Sequence, residues 1–181
     1  MSDRKISFKG NKKPHGYLSN GAWYMLKVAG STHEGKYYYL CASLLFSAFT
    51  LESYLNYIGL NYINFWSRIE KINVRDKLNV IYEYKSINVD WGNRPFQTII
   101  DLFRFRNMMA HAKPSEYSGT TTIKDEDFDF FDVKEFWETY PTTENAEMAK
   151  DDVLRIMENL KEIYNDNAHI MDLGSQFWHD I

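Results

Sequence analysis

The sequence predicts an all-α fold, a bundle of four to five helices with a small loop or hairpin insert near residues 115–141. Apolar residues recur at steps of three and four over most of the chain, which is the period of a helix face. Hydrophobic residues make up 44% of the 181 positions, enough for the packed core of one domain. The helical period fails at residues 115–141, where runs of Thr and Phe have strand character.

Residues 36–62 carry the strongest helical pattern. Because their apolar stripe is wide, the helix must be covered on more than one side, and we expect it to be central. The stripe consists of Leu40, Leu44, Ala48, Leu51, Leu55 and Ile58. Two further helices are predicted over residues 17–29 and 143–164, and Asn73 is a suitable N-cap for a helix over residues 74–84.

One more helix is predicted between residues 84 and 143, and we call it the fifth helix although it is the fourth along the chain. It is predicted to begin at Pro95, a residue that suits the first helical position. It must stop near Ala112 or Lys113, because Pro114 disfavours helical geometry in the residue before it. Its predicted stripe consists of Ile99, Leu102, Phe103 and Ala110.

The chain is predicted to contain a flexible basic tail at residues 1–15 and a single helical domain at residues 16–181. The tail carries five Lys or Arg residues and few apolar ones, which is typical of a solvated terminus.

Composition narrows the classes of function. The net charge of −4 argues against nucleic-acid binding by bulk electrostatics, although a local basic patch could still bind it. A single cysteine, Cys41, rules out an intrachain disulfide and agrees with a reducing compartment. With no apolar run near the ~18 residues of a membrane span, we expect a soluble cytoplasmic protein that does not contact membranes.

The 17% aromatic content exceeds what the core needs and suggests a homodimer interface.

The sequence gives no reason to expect a metal or another cofactor. The acidic run at 125–132 lacks the glycine and the closing glutamate of a calcium loop, so we interpret it as a solvated acidic loop. The histidines outside the fifth helix show no ligand spacing; they are His15, His33, His169 and His179.

The chemically suggestive residues lie at the end of the fifth helix. Arg106 falls on the apolar stripe, where a guanidinium needs a carboxylate, a phosphate or a wet cleft. One explanation is structural: a core salt bridge from Arg106 to Glu52 or Asp101, with His111 as a C-terminal cap. The other is a functional site. Arg106 and His111 are about 140° apart on an ideal helix, whereas Arg104 and His111 are only about 20° apart.

The stretch from Arg106 through Asn107 to His111 resembles the R-x(4–6)-H signature of the HEPN superfamily, in which a polar residue often follows the arginine. The segment from Ser47 to Asn56 is similar to a family helix that carries a Glu and an Asn, here Glu52 and Asn56. The resemblance extends over about residues 17–165, but its specific part is the short motif.

The resemblance implies a dimer in which two motifs form one composite cleft, and, in catalytic members, a metal-independent endoribonuclease that leaves a 2′,3′-cyclic phosphate. It assigns catalysis to Arg106, Asn107 and His111: His111 would transfer protons, and Arg106 would stabilise the pentacoordinate phosphate. Residues expected to assist substrate binding are Arg104, Lys113, Glu52 and Asn56. Expected partners are RNA or a nucleotide and an antitoxin, since such an enzyme could serve as a toxin or an anti-phage effector.

Three interpretations are open at this point. The intact motif favours a ribonuclease, and the acidic net charge favours a non-catalytic HEPN-like module that dimerises or binds a ligand. The third is an unrelated helical bundle in which the motif is coincidental. Whether Arg104 or Arg106 is the site arginine is likewise open.

Overall fold

The computed structural model describes residues 6–10, 12–111, 113–114, 116, 118, 120–122, 124, 133–170 and 176–180, with backbone alone at 6–9 and 176–180. Its helices are α1 (Pro14–Ser31), α2 (Lys36–Tyr62), α3 (Val74–Glu83), α4 (Phe96–His111), the one-turn α5 (Phe136–Thr139) and α6 (Thr143–Tyr164). A 3-10 turn at Trp66–Arg68 follows α2, and two short strands, β1 (Ile6–Gly10) and β2 (Gln176–Asp180), lie near the ends of the chain. The predicted all-α bundle is confirmed.

The helix boundaries follow the local signals in the sequence. The bounds predicted for α2 and α6 are confirmed, and α3 begins where expected, because the Asn73 side chain accepts a 2.9 Å hydrogen bond from the backbone N–H of Asp76. Helix α4 begins at Phe96, one residue after the predicted start at Pro95, and ends at His111.

The tail predicted at residues 1–15 is corrected by the structure in two places. Strand β1 pairs antiparallel with β2, from Ile6 opposite Asp180 to Gly10 opposite Gln176. Helix α1 begins at Pro14 rather than near residue 17. The prediction missed the strand because its partner lies at the other end of the chain, and pairing over that separation leaves no local signal.

Helix α2 is the centre of the bundle, as its apolar stripe predicts. It packs against α1, α3, α4 and α6. The residues of the predicted stripe are all buried: Leu40, Leu44, Ala48, Leu51, Leu55 and Ile58. Burial of this stripe from several sides fixes the direction of α2, and with it the positions of the polar residues on its remaining face.

The C-terminal end of α2 depends on a close approach between Gly59 and Trp66. A Cβ atom on Gly59 would lie 2.0 Å from Cδ2 of the Trp66 indole, which is 1% exposed. Only glycine leaves room for the ring to pack this close to the helix backbone. The turn after α2 is thereby folded back onto the core.

Helix α4 is held against the core by Ile99, Leu102 and Phe105, which are buried. The predicted stripe is therefore partly wrong: Phe103 is half-buried and Ala110 is exposed, while Phe105 takes the core position. The helix is rotated so that the aromatic ring of Phe105, which meets Tyr140 at a centroid distance of 5.5 Å, lies inside.

The N-terminal end of α4 is attached to α6 through Asp152, whose side chain is fully buried. The carboxylate accepts hydrogen bonds from Arg94 Nε at 2.7 Å and Nη2 at 3.0 Å, and from Thr98 Oγ1 at 2.6 Å. The hydrogen bonds to Asp152 raise the pKa of the Arg94 guanidinium above its usual value. The buried carboxylate is fully paired, as burial of a charge requires.

Part of the insert near 115–141 lies outside the described residues, including the acidic run at 125–132 and its phenylalanines. Within the described part, residues 120–122 form neither helix nor strand, and α5 lies near the end of the insert. Among the described helices, none has both the length and the apolar composition required to cross a bilayer.

Candidate functional site

Arg106 is bound to Glu52 across the contact between α4 and α2. Its Nη2 donates a 2.9 Å hydrogen bond to Glu52 Oε2, and its Nη1 donates a 3.0 Å hydrogen bond to Asn107 Oδ1. The Arg106 side chain is 24% exposed and that of Glu52 is 28% exposed. Of the two structural partners considered from the sequence, Glu52 is the one that binds Arg106, and Asp101 is exposed. The guanidinium is thus fixed in orientation at the edge of solvent.

A buried lysine, Lys77 of α3, extends this ion pair. Its ammonium group lies 3.5 Å from Glu52 Oε1 and donates a 2.9 Å hydrogen bond to Asn56 Oδ1. Because the Lys77 side chain is only 2% exposed, its charge must be compensated inside the protein, and Glu52 supplies the carboxylate. Glu52 and Asn56, predicted to bind substrate, therefore serve first as partners of Lys77 and Arg106.

The sequence interpretation missed Lys77, although a signal was present. Lys77 lies three residues after Val74 and four before Ile81, in the buried face of α3. A lysine at an apolar position of a helix predicts a buried charge that needs a partner. Glu52 and Asn56, four residues apart on the central helix, are the polar side chains that could pair with such a lysine. Considering the two helices together would have identified the cluster of Lys77, Glu52 and Asn56.

A cleft between α4 and the start of α3 has Arg106 at its edge. We call it the basic cleft; its volume is about 370 Å³. It is lined by Glu52, Lys71, Ile72, Asn73, Val74, Arg75, Trp91, Ile99, Ile100, Phe103, Arg104, Arg106 and Asn107. Among these residues, four carry a positive charge and Glu52 alone carries a negative one. In a chain of net charge −4, this cleft has a local excess of positive charge, which favours an anion over a cation.

Both candidate arginines line the basic cleft, held in different ways. Arg104 lies over the Phe136 ring of α5, with its Cζ 4.2 Å from the ring centroid. Arg106 is fixed by Glu52 and also lies 5.7 Å from the centroid of Phe49. The structure therefore brings together Arg104, Arg106, Asn107 and Glu52 at one cleft. Arg106 is the more rigidly held of the two, because its guanidinium donates one hydrogen bond to the carboxylate of Glu52 and another to the amide oxygen of Asn107.

His111 is exposed at the last position of α4 and lies outside the residues that line the basic cleft. It follows Asn107 by four residues, so the two lie on one face of the helix, about 6 Å apart along its axis. Within one chain, His111 thus lies on the same face of α4 as Asn107, but it is not part of the wall of the basic cleft. Lys113 is exposed beyond the end of the helix.

A second cavity of about 480 Å³ shares Glu52 with the basic cleft. It is lined by Lys12, Lys13, Pro14, His15, Phe49, Glu52, Ser53, Asn56, Tyr57, Leu60 and Asn61. Glu52 therefore borders both cavities, and Asn56 faces this one. Among the described residues, no group of three or more His, Cys, Asp or Glu side chains is placed to hold a metal ion.

The fold and the cleft define this protein as an all-α bundle with a basic cleft between α3 and α4 that ends at a conspicuous Arg-Asn pair. Comparison of the chain with protein-family models, with curated proteins and with solved structures finds no match.

Proposed function

We propose that this chain is a metal-independent endoribonuclease of the HEPN type that acts as a homodimer and leaves a 2′,3′-cyclic phosphate. The observation that supports the proposal best is the position of Arg106. Its guanidinium is oriented by Glu52 at the edge of a cleft with three further cations, and Asn107 and His111 follow on the same helix. A toxin or an anti-phage effector, with an antitoxin as partner, would use such an activity.

The residues suit cleavage by the RNA's own 2′-hydroxyl. The 2′-oxygen attacks the adjacent phosphorus, the bond to the 5′-oxygen breaks, and the products are a 2′,3′-cyclic phosphate and a free 5′-hydroxyl. A general base must remove the 2′ proton and a general acid must protonate the leaving oxygen, and histidine is the side chain best suited to both near neutral pH. Arg106 would stabilise the charge that develops on the phosphate.

A dimer would supply what one chain lacks. His111 is exposed and outside the cleft of its own chain, so a second copy is needed to place two histidines near one phosphate. Large apolar side chains are exposed near the motif, namely Phe49 beside Arg106, and Ile100 and Met109 on α4. Apolar residues around a polar centre are typical of an interface between subunits.

One observation favours the non-catalytic alternative, a dimerising module that binds RNA or a nucleotide. Both terminal nitrogens of Arg106 already have partners, Glu52 and Asn107, so the guanidinium is less free to reach a phosphate. In that case the basic cleft would bind the anion and Arg106 would stabilise the fold. The same ion pair would also fit an unrelated bundle with a coincidental motif.

The deciding experiment incubates purified protein with labelled single-stranded RNA in EDTA and identifies the 3′ ends of the products. We expect cleavage with cyclic phosphate ends and its loss in His111→Ala, with His33→Ala as the matched control because His33 is exposed in the turn after α1. Undiminished cutting by His111→Ala would remove His111 from the mechanism. Binding without cleavage by the wild type would favour the non-catalytic module, and neither binding nor cleavage would favour the unrelated bundle.

A further inference from the structure

Trp91 lies in the basic cleft and is held in a fixed orientation. It is half-buried in the connector between α3 and α4. Its Nε1 donates a 3.0 Å hydrogen bond to Asn79 Oδ1, and the Phe96 ring meets it edge-on at a centroid distance of 5.8 Å. The hydrogen bond and the ring contact together restrict the rotation of the indole.

Arg75 lies on that indole. Its Cζ is 4.9 Å from the centroid of the Trp91 ring, within the range of a cation–π contact, and both residues line the basic cleft. The Arg75 side chain is otherwise exposed. The contact keeps a planar cation at the wall of the cleft formed by the start of α3. Guanidinium planes and aromatic rings are the two kinds of surface on which proteins stack unpaired nucleic-acid bases.

Charge and size narrow the class of ligand. Lys71 and Arg75 contribute cations from one wall of the cleft, and Arg104 and Arg106 contribute cations from the α4 wall. Glu52, the single acid among the described lining residues, is already engaged by Arg106 and Lys77. The volume of about 370 Å³ lies near the lower end of the range for ligand pockets, which is roughly 300–1,000 Å³. An anion with one flat aromatic group matches these features.

We propose that Arg75, held by Trp91, is the stacking site for one unpaired RNA base next to the phosphodiester bound at Arg106. The identity of the anion as RNA rests on the proposed function. Arg75 is the binding residue and Trp91 is a positioning residue that acts through it. A base inside a duplex is already stacked on both faces, so this subsite accepts a nucleotide from a single strand.

The test measures binding of a short single-stranded RNA in which every 2′-hydroxyl is methylated. Such RNA lacks the nucleophile for cleavage, so affinity is read without turnover. Arg75→Lys keeps the charge and removes the plane, and we expect affinity about 5- to 100-fold weaker with an unchanged salt dependence. Arg68→Lys is the matched control, because Arg68 is exposed and lies outside the residues that line the cleft.

The role of Trp91 is tested by coupling. Trp91→Leu should weaken binding to a similar extent, and the double variant with Arg75→Lys should be no weaker than either single one, because both remove the same stacked unit. A purely structural role of Trp91 would instead lower the melting temperature and add its effect to that of Arg75→Lys. Additive losses would therefore overturn the positioning role.

The outcomes separate this inference from the proposed function. Wild-type affinity in Arg75→Lys, or equal binding of a methylated duplex, overturns the subsite even if unmodified RNA is still cut. Tight binding that depends on Arg75 without any cleavage of unmodified RNA supports the subsite and overturns the nuclease. Failure of the wild type to bind either RNA overturns the subsite.

Discussion

Glu52 and Arg106, 54 positions apart in the sequence, are joined by a 2.9 Å hydrogen bond between Oε2 and Nη2. The other carboxylate oxygen of Glu52 lies 3.5 Å from the ammonium group of the buried Lys77. One acid thus compensates two cations from two different helices. The candidate site and the packing of α2, α3 and α4 consequently depend on the same side chain.

Among substitutions of Glu52, Lys77 and Arg106, Glu52→Ala should lower the stability of the fold most. The change leaves the buried ammonium group of Lys77 without its carboxylate, and we expect the free energy of unfolding to fall by about 2–3 kcal/mol. This loss is at or below the lower end of the range for breaking a fully buried ion pair, because Glu52 is partly exposed. Lys77→Met should cost less than about 1.5 kcal/mol, since an apolar side chain of similar length fills the same space. Urea denaturation measures both changes.

The double variant Glu52→Ala with Lys77→Met provides the control. It no longer contains the uncompensated ammonium group, so it should be more stable than Glu52→Ala alone. If Glu52→Ala were no more harmful than Glu34→Ala, at an exposed position before α2, the compensating role of Glu52 would be wrong.

Asp152→Asn should loosen the start of α4 without affecting the residues of the cleft directly. The substitution keeps the shape of the side chain but removes the charge that accepts from Arg94 and from the buried hydroxyl of Thr98. Loss of the charge-assisted bond from Thr98 alone should cost about 2 kcal/mol. Thermal unfolding measures the loss, and Asp151→Asn, one residue earlier and exposed, should leave stability nearly unchanged.

The fold could be predicted largely from the sequence because its helices are encoded locally. The stripe of α2 and the Asn73 cap each lie within a few turns of chain, and the structure confirms both. The pairing of β1 with β2 could not be predicted, since its two halves lie at opposite ends of the chain. The buried face of α4 was also misjudged at Phe103 and Phe105. These two rings lie on opposite sides of the stripe formed by Ile99 and Leu102, and which side faces the core depends on where the other helices pack.

The candidate site could be predicted in part. The motif singled out Arg106 and Asn107, which line the basic cleft, and the resemblance singled out Glu52 and Asn56, which line the second cavity. Lys77 was missed although its place in the buried face of α3 was a signal. Arg75 and Trp91 were missed because they reach the cleft only through the packing of α3 and its connector against α4. Such convergence depends on tertiary contacts that no local pattern contains.

Gly59→Ala should destabilise the end of α2. Alanine is normally the better helix former, so an isolated helix would gain from the change. Here the added Cβ would lie 2.0 Å from the buried Trp66 indole, and we expect overpacking to dominate with a loss of about 3 kcal/mol. Gly30→Ala is the control, since a Cβ at Gly30 meets nothing within 4 Å and should be neutral or stabilising. A melting temperature for Gly59→Ala at or above that of the wild type would contradict the close approach.

Lysine substitutions should decide which arginine serves the proposed cleavage. Arg106 uses two of its nitrogens to bind Glu52 and Asn107, a geometry that a lysine ammonium cannot reproduce, so Arg106→Lys should lower kcat about 100-fold. Arg104 lies over Phe136, and a lysine there keeps a positive charge beside the cleft, so Arg104→Lys should lower kcat less than about tenfold. Single-turnover cleavage of RNA measures both, with thermal unfolding to verify that each variant is folded. The opposite order of effects would assign the site to Arg104, the residue better aligned with His111 on an ideal helix, and would leave Arg106 as part of the Glu52 ion pair alone.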